Sequence, residues 1–457
     1  MSLIISVSGI RGTIGGLPGA NLTPPDIIRF SSAYATLIMS GTDTPVIVIG
    51  RDARISGNMV SNLISSTLIS MGIRVIDLGL STTPTVEMAV CRHKANGGII
   101  ITASHNPANW NALKLLNEKG EFISAETGQK LIELADSTRF SFSPYDRLGS
   151  LENSVDDINY HVNQLLSHPL IAADRIRRSK FHVSVDCINS TGSLAIPVLL
   201  EALDCRYTLI NSEVTGNFSH NPEPLEENLS DLIQSVSNGM NVGIAVDPDV
   251  DRLALVDEKG HYIGEEYSLV CAADYVLKNK PGNTVSNLSS SRALADITKK
   301  YGCNYFASKV GEVHVVEKMK EVNAVIGGEG NGGIILPDLH YGRDALAGIA
   351  LVLSHLATGN KTLSSLRDDF PKYEMYKDKI EITSETDYDK LIHNIQQRYA
   401  DGKINLTDGI KIDLEQGWLH LRKSNTEPII RIYSEASTAS EAKRLVIQLK
   451  ELIAKLN

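Results

Sequence analysis

The densest chemistry in this chain is Asp247-Pro248-Asp249-Val250-Asp251-Arg252, three carboxylates at alternate positions. Close carboxylates repel and raise one another's pKa unless a cation sits among them, and hard oxygen ligands suit Mg2+. A divalent metal is the economical reading; solvated turn acids are the plainer one. The spacing also fits a calcium-binding EF-hand formally, with Glu258 in twelfth place. Its sixth place needs Gly for the sharp turn, however, and here holds Arg252, leading into the strand-like Leu253-Ala254-Leu255-Val256. A second segment, Thr102-Ala103-Ser104-His105-Asn106-Pro107, sets a hydroxyl beside an imidazole. Adjacent side chains at a strand end point apart and no G-x-S-x-G elbow is present, which speaks against a hydrolase triad. A phosphoryl group on Ser104 would instead bring dianionic charge able to complete a metal's coordination, although a turn punctuated by Asn-Pro remains the bland alternative.

Three further segments carry weaker signals. Gly328-Glu329-Gly330-Asn331-Gly332-Gly333 lacks the helix start and later acid of a dinucleotide fingerprint. Glu329 and Asn331 suit the hydroxyls of a sugar, or the segment is a structural turn. Arg422-Lys423-Ser424-Asn425-Thr426-Glu427-Pro428, with Arg431 beyond, gathers cations, hydroxyls and an amide, as a phosphate site needs and as a solvated hairpin also permits. Ser8-Gly9-Ile10-Arg11-Gly12 frees the backbone around one Arg; that segment, Lys114 and Lys309 are ambiguous when taken singly.

The elements that position these loops repeat three times as strand, turn, helix, strand, helix, strand, loop. The expected strands are 45–50, 73–78 and 98–102, then 181–185, 206–210 and 242–246, then 284–288, 304–307 and 324–326. Each third strand is a short apolar run, as in a strand covered on both faces, and runs into polar residues at its carboxyl end, where open α/β sheets place ligands. From about Tyr373 the pattern changes to a helix at 387–399, strands at 409–413, 418–422 and 429–435, and an amphipathic helix at 440–456 capped by Ser437 or Thr438. A polar linker is expected at 368–379. The fold class is therefore α/β: three similar mixed-sheet α/β domains, at 1–150, 151–257 and 258–370, and a smaller C-terminal α+β domain at 371–457.

Composition sets the bounds. The chain has 457 residues, 42% hydrophobic and 21% charged, enough to bury several cores without disulfide staples. Forty-four basic against 54 acidic residues give a net charge of −10, which disfavours nucleic acid and anionic membranes as partners. The five cysteines form no C-x-x-C pair, and no 18-residue apolar run or leader pattern occurs. The expectation is a cytoplasmic protein with reduced thiols.

Taken together and in order, Ser8 to Gly12, Thr102 to Pro107, Asp247 to Arg252, Gly328 to Gly333 and Arg422 to Pro428 resemble the α-D-phosphohexomutase superfamily over essentially the whole chain. The resemblance implies four domains around a central cleft and an isomerase that moves a phosphoryl group through a phosphoserine. On matching positions it implies Ser104 as the phosphoserine and, through its phosphate, a metal ligand. His105 would be its neighbour, Asp247, Asp249 and Asp251 the Mg2+ ligands, and Arg11 and Lys114 the aids to proton transfer and charge stabilisation. Arg252, Lys309, Glu329, Asn331, Arg422, Ser424, Asn425, Thr426 and Arg431 would hold the substrate, a hexose or hexosamine monophosphate, with a hexose bisphosphate as activator. A monomer or homodimer is expected.

There are departures. The chain has Asn111-Ala112-Leu113-Lys114 where Asn-Gly-x-Lys is common, and no His directly after Gly in Val310-Gly311-Glu312, so that His314 either substitutes or faces solvent. Val310-Gly311-Glu312 and Thr426-Glu427-Pro428 resemble the forms in phosphoglucosamine mutases, whereas Ser424-Asn425-Thr426 resembles phosphomannomutases. Action on glucosamine phosphates is the first reading and on glucose or mannose phosphates the second. A silent sugar-phosphate binding protein and a metal-dependent phosphatase are the readings from other classes.

Overall fold

Short β-branched runs with both faces covered form the central strands of three sheets. The computed structural model describes residues 2–6, 9–381, 388–399, 402–424 and 429–456. The first sheet comprises β1 (Ile4–Ser6), β2 (Gly9–Thr13), β3 (Val46–Arg51), β4 (Arg74–Leu80), β5 (Gly97–Ile101), β6 (Trp110–Leu116) and β7 (Leu151–Asn153), in the order β1-β2-β6-β5-β3-β4-β7. The second holds β8 (His182–Asp186), β9 (Arg206–Ile210), β10 (Val242–Val246) and β11 (Leu253–Val256), ordered β11-β10-β8-β9. The third holds β12 (Thr284–Asn287), β13 (Tyr305–Ser308), β14 (Ile326–Glu329) and β15 (Gly333–Ile335), ordered β13-β12-β14-β15.

One unit recurs in all three. Its first strand pairs in parallel with the second and third, and the third turns back into an antiparallel fourth. The parallel pairs need helical crossovers, whereas the antiparallel pair needs only a tight loop. The three motif-bearing loops are these third-to-fourth connections, at 102–109, 247–252 and 330–332. The repeat was expected from the sequence. The fourth strands β6 and β15 were not: β6 mixes polar with apolar residues, and β15 is only three residues long and follows a glycine-rich turn.

The last sheet is antiparallel: β16 (Glu374–Glu381), β17 (Lys403–Asn405), β18 (Ile410–Leu414), β19 (Gly417–Lys423) and β20 (Ile429–Ala436), ordered β16-β20-β19-β18-β17. The helix Ala439–Leu456 lays Leu445, Val446, Leu449 and Ile453 on it. Thr438 accepts the N–H of Glu441 at 3.3 Å, and its own hydroxyl meets the Glu441 carboxylate, so Thr438 supplies the expected cap.

Two expectations need correction. The segment 368–379 is not a polar linker: Leu363–Asp368 is helical, and β16 pairs with β20 over eight residues. Its polar residues are tolerated because β16 is an edge strand with alternate positions in solvent. In addition, β7 lies beyond residue 150 yet pairs with β4, so the first sheet closes on the far side of that boundary. A single hydrophobic core also runs from Val162 through Leu255 and Tyr267 to Phe370, joining the second and third units across residue 257. No helix among the described residues is long and apolar enough to cross a membrane.

Candidate active site

Ser104 stands at the carboxyl end of β5 with φ 48°, a left-handed conformation that an L-residue keeps only when its surroundings impose it. Fully buried Arg54 imposes it. Its guanidinium donates to the carbonyls of Ser104 (2.5 Å), Asn106 (2.6 Å), Pro107 (2.6 Å) and Trp110 (3.0 Å), and its Nε pairs with Asp52 at 3.0 Å. Asp52 also accepts the Thr102 hydroxyl, whose oxygen takes the Ser104 N–H at 2.9 Å.

Ser104 Oγ donates to Asp247 Oδ2 at 2.5 Å, so the first and second motif loops meet at one point. Val250 turns the acidic loop with φ 61°, and Asp247 Oδ1 accepts the N–H groups of Asp251 and Arg252, each at 3.1 Å. The three carboxylates are fully buried and offer ligand atoms within 4.8 Å of one another. Asp249 Oδ1 and Asp251 Oδ1 are buried without a hydrogen bond. Two bare carboxylate oxygens in a dry site fit a divalent cation with oxygen ligands. The electrostatics agree: burial, with Asp251 and Asp249 alongside, pushes the Asp247 carboxyl well up. Burial acts the same way on Asp251, but Arg343, Lys114 and Arg252 outweigh it and hold that carboxyl low.

Cations ring the triad. Lys114 Nζ reaches Asp249 at 2.7 Å and Asp251 at 3.1 Å; despite burial, these acids keep its pKa up. Thr83 donates its hydroxyl to Asp249 Oδ2 at 2.5 Å. Arg343 bridges Asp251 (2.8 Å), Glu312 (2.9 Å) and Glu329 (3.1 Å), tying the third motif loop to the second. Glu329 also takes the side-chain amide of Asn287 at 2.9 Å and the Gly311 N–H at 3.1 Å. Arg252 pairs with Glu223 at 3.2 Å.

His105 Nδ1 lies 3.4 Å from Ser104 Oγ, and burial, then Arg252, holds its pKa well below the usual value. Arg11 is partly buried and feels Arg252 and Arg343. The structure thus gathers Ser104, His105, Arg11, Lys114, Asp247, Asp249, Asp251, Arg252 and Glu329. Asn331 folds its side chain onto the Gly333 N–H at 3.2 Å within its own turn, and Lys309 is exposed. His314 pairs with Glu317 on the surface of its helix, at 3.3 Å. Arg422, Ser424 and Arg431 lie on or beside the β19–β20 hairpin, and Asn425, Thr426 and Ser8 lie outside the described residues. The sequence reading missed Asp52, Arg54, Thr83 and Arg343. Asp52 and Arg54 follow β3, another apolar run ending in charges, and the rule applied to the third strands would have found them there too.

Matches to four domain models cover most of the chain. They are described as phosphoglucomutase/phosphomannomutase alpha/beta/alpha domain I at residues 3–141, domain II at 159–260, domain III at 264–373 and the C-terminal domain at 381–452. A phosphoglucomutase/phosphomannomutase of Thermococcus kodakarensis is 36% identical over 94% of this chain and 95% of its own. A phosphoglucosamine/phosphogalactosamine mutase of Sulfurisphaera tokodaii is 31% identical over 99% of each. A crystal structure of a phosphoglucomutase/phosphomannomutase family protein from Burkholderia thailandensis shares the fold, with a TM-score of 0.86, 24% identity and coverage of 99% and 97%. With all four domains matched in order around a buried serine and carboxylate centre, the chain belongs to the phosphoglucomutase/phosphomannomutase family of the α-D-phosphohexomutase superfamily, and is a phosphohexomutase.

Proposed function

We propose that the protein interconverts glucosamine 6-phosphate and glucosamine 1-phosphate through a phosphoserine at Ser104 and a hexosamine bisphosphate. One observation carries the mechanism: the Ser104 hydroxyl and the Asp247, Asp249 and Asp251 carboxylates share a single buried centre. Mg2+ held by those carboxylates supplies positive charge to the transferring group, which is the main requirement of phosphoryl transfer. Lys114, Arg11 and Arg252 add fixed positive charge around it. The phosphoryl on Ser104 passes to the free hydroxyl of the monophosphate, and the bisphosphate turns round and returns its other phosphate to Ser104. A trace of hexose bisphosphate charges the serine when it is bare. His105 Nδ1, 3.4 Å from Ser104 Oγ, is placed to hydrogen-bond the transferring group, and Arg11 and Lys114 assist the proton's departure from the attacking hydroxyl.

Recognition at the far end falls to the last domain. Arg422 and Arg431 stand directly opposite each other across β19 and β20, two guanidiniums whose planar donors suit a phosphate. With Ser424, Asn425 and Thr426 they form the proposed seat of the non-transferring phosphate. Glu329, Asn331 and Lys309 are assigned to the sugar in this reading, although Asn331 now caps its own turn, Lys309 lies in solvent, and Glu329 shares Arg343 with Glu312. The amino sugar is favoured by the Val310-Gly311-Glu312 and Thr426-Glu427-Pro428 variants. The Sulfurisphaera relative's name points the same way. A second reading, action on glucose or mannose phosphates, is favoured by the higher identity of the Thermococcus relative.

The test compares kcat/KM for glucosamine 6-phosphate, glucose 6-phosphate and mannose 6-phosphate with Mg2+ and trace bisphosphate, followed by phosphorus NMR. At least a tenfold preference for the amino sugar, about 1.4 kcal/mol in the barrier, is expected. Equal or better use of the neutral sugars overturns the first reading in favour of the second. Release of inorganic phosphate without interconversion, or no turnover, would overturn both.

A further inference from the structure

Behind the catalytic cleft, three domains contribute to a second polar cluster that the reaction does not use. His161 comes from the helix Asp157–Leu166 of the second unit, His340 and Asp344 from the third, and Thr85 and Glu87 from the helix Thr83–Arg92 of the first. His161 Nε2 and His340 Nε2 point at the same atom, Asp344 Oδ2, at 2.9 and 3.2 Å. Asp344 Oδ1 is separately engaged, capping its helix by accepting the N–H of Ala347 at 3.1 Å. His161, Asp344 and Glu87 are buried to 2% exposure or less.

At His161 the second layer has the form that a metal-bound imidazole requires, and at His340 a carboxylate stands in place to supply it. A ligating histidine hands its other ring N–H to an oxygen, which fixes its tautomer and strengthens the donor atom. His161 Nδ1 meets the Thr85 hydroxyl at 3.0 Å, and His340 Nδ1 lies 3.3 Å from Glu87 Oε2. Both Glu87 oxygens are buried without a hydrogen bond of good geometry, although the residue is aimed into the cluster.

We propose that His161 Nε2, His340 Nε2 and Asp344 Oδ2 form a second metal site, for a divalent transition cation such as Zn2+, distinct from the Asp247–Asp251 site. Three ligand atoms about 2.0–2.1 Å from one tetrahedral centre lie roughly 3.3 Å apart, close to the two spacings observed. Two imidazoles and one carboxylate select a d-block cation over Mg2+, which prefers an all-oxygen shell. An entry path exists: a cavity of about 320 Å³ lined by Met88, Cys91, Tyr160, Gln164 and His168 has His340 on its wall. A cation there would tie all three large domains together and fix the helix whose Thr83 supports Asp249.

The full chain, stripped with a chelator and then saturated with Mg2+, is titrated with Co2+, whose visible absorption reports a tetrahedral shell. One equivalent is expected to bind in the presence of Mg2+ with the strong tetrahedral bands. Asp249→Asn should leave that signal in place, which separates this site from the catalytic one. His340→Gln, on the cavity wall, should weaken Co2+ binding at least tenfold while turnover in Mg2+ persists, and Glu87→Gln should weaken it by a smaller factor. No tetrahedral signal in the wild-type protein, or one unchanged in His340→Gln, would overturn the proposal and leave a network of shared protons only.

Discussion

Arg54 holds Ser104 through four backbone carbonyls between residues 104 and 110, a task that needs a planar fork of donors. Lysine keeps the charge toward Asp52 but cannot reach those acceptors together. Arg54→Lys should therefore cost about 2–4 kcal/mol in denaturant unfolding and depress kcat well beyond any change in KM. A variant with wild-type kcat would remove Arg54 from the positioning of the serine. Thr83 is the subtler case. Its hydroxyl orients Asp249 from the side opposite the bare oxygen Oδ1, and Thr83→Val keeps the shape while removing the donor. We expect the Mg2+ concentration for half-maximal activity to rise roughly tenfold, with kcat at saturating Mg2+ nearly kept. Unchanged Mg2+ dependence would show that Lys114 alone orients Asp249.

Among the elements, the third-to-fourth hairpin of each sheet is the unit of function, and neighbouring hairpins lean on one another. Gly332, at φ +87°, accepts the Leu253 N–H at 3.0 Å, so the turn of the third sheet rests on the start of β11, directly behind the acidic loop. A Cβ at Gly332 would come within 2.4 Å of the Leu253 carbonyl oxygen, and a left-handed L-residue costs roughly 1–2 kcal/mol by itself. Gly332→Ala should lower the melting temperature by several degrees and lower kcat/KM by more than the stability loss explains, because both loops shift. Normal activity at reduced stability would mean that the two hairpins work independently. This layer also marks how far the sequence could be read. Ser104 and Asp247 to Asp251 were legible because each follows an apolar strand that leaves polar residues nowhere to go but the cleft. Arg343 was not, because its partners Asp251, Glu312 and Glu329 come from three separate segments, and neither periodicity nor turn chemistry encodes such a meeting. The 368–379 segment misled for a related reason: an edge strand has only half its side chains to bury, and its charges read as a linker.

Across the molecule, the last domain must dock against the third if the phosphate loop proposed for it is to serve the cleft, and the contact is polar and titratable. His420 bridges it, with Nδ1 2.9 Å from the Ser289 hydroxyl of the third domain and Nε2 2.7 Å from the Asp408 carbonyl of its own. Beside it Lys411 donates to the Leu288 carbonyl at 2.8 Å, and Arg292 pairs with Asp413 at 3.1 Å. The neutral imidazole satisfies both contacts, its Nε2–H donating to the carbonyl and Nδ1 accepting from the hydroxyl. Burial, with Lys411 and Arg422 opposing a second proton and Asp408 only partly compensating, lowers the His420 pKa to about 4. The sign follows from linkage. Near pH 7 and above both states are neutral at this residue, whereas between about 6.5 and 4 the unfolded chain takes up a proton that the docked domain refuses. Stability is therefore lost as pH falls through that window, by roughly 3 kcal/mol once complete, and is fully present at neutral and alkaline pH. His420→Gln retains an amide donor for the Asp408 carbonyl but does not titrate, so its melting temperature should fall less steeply between pH 7 and 4 than that of the wild type. Parallel curves would show that His420 keeps its proton equilibrium on docking, and would move the acid sensitivity of this contact to the carboxylates around Arg292.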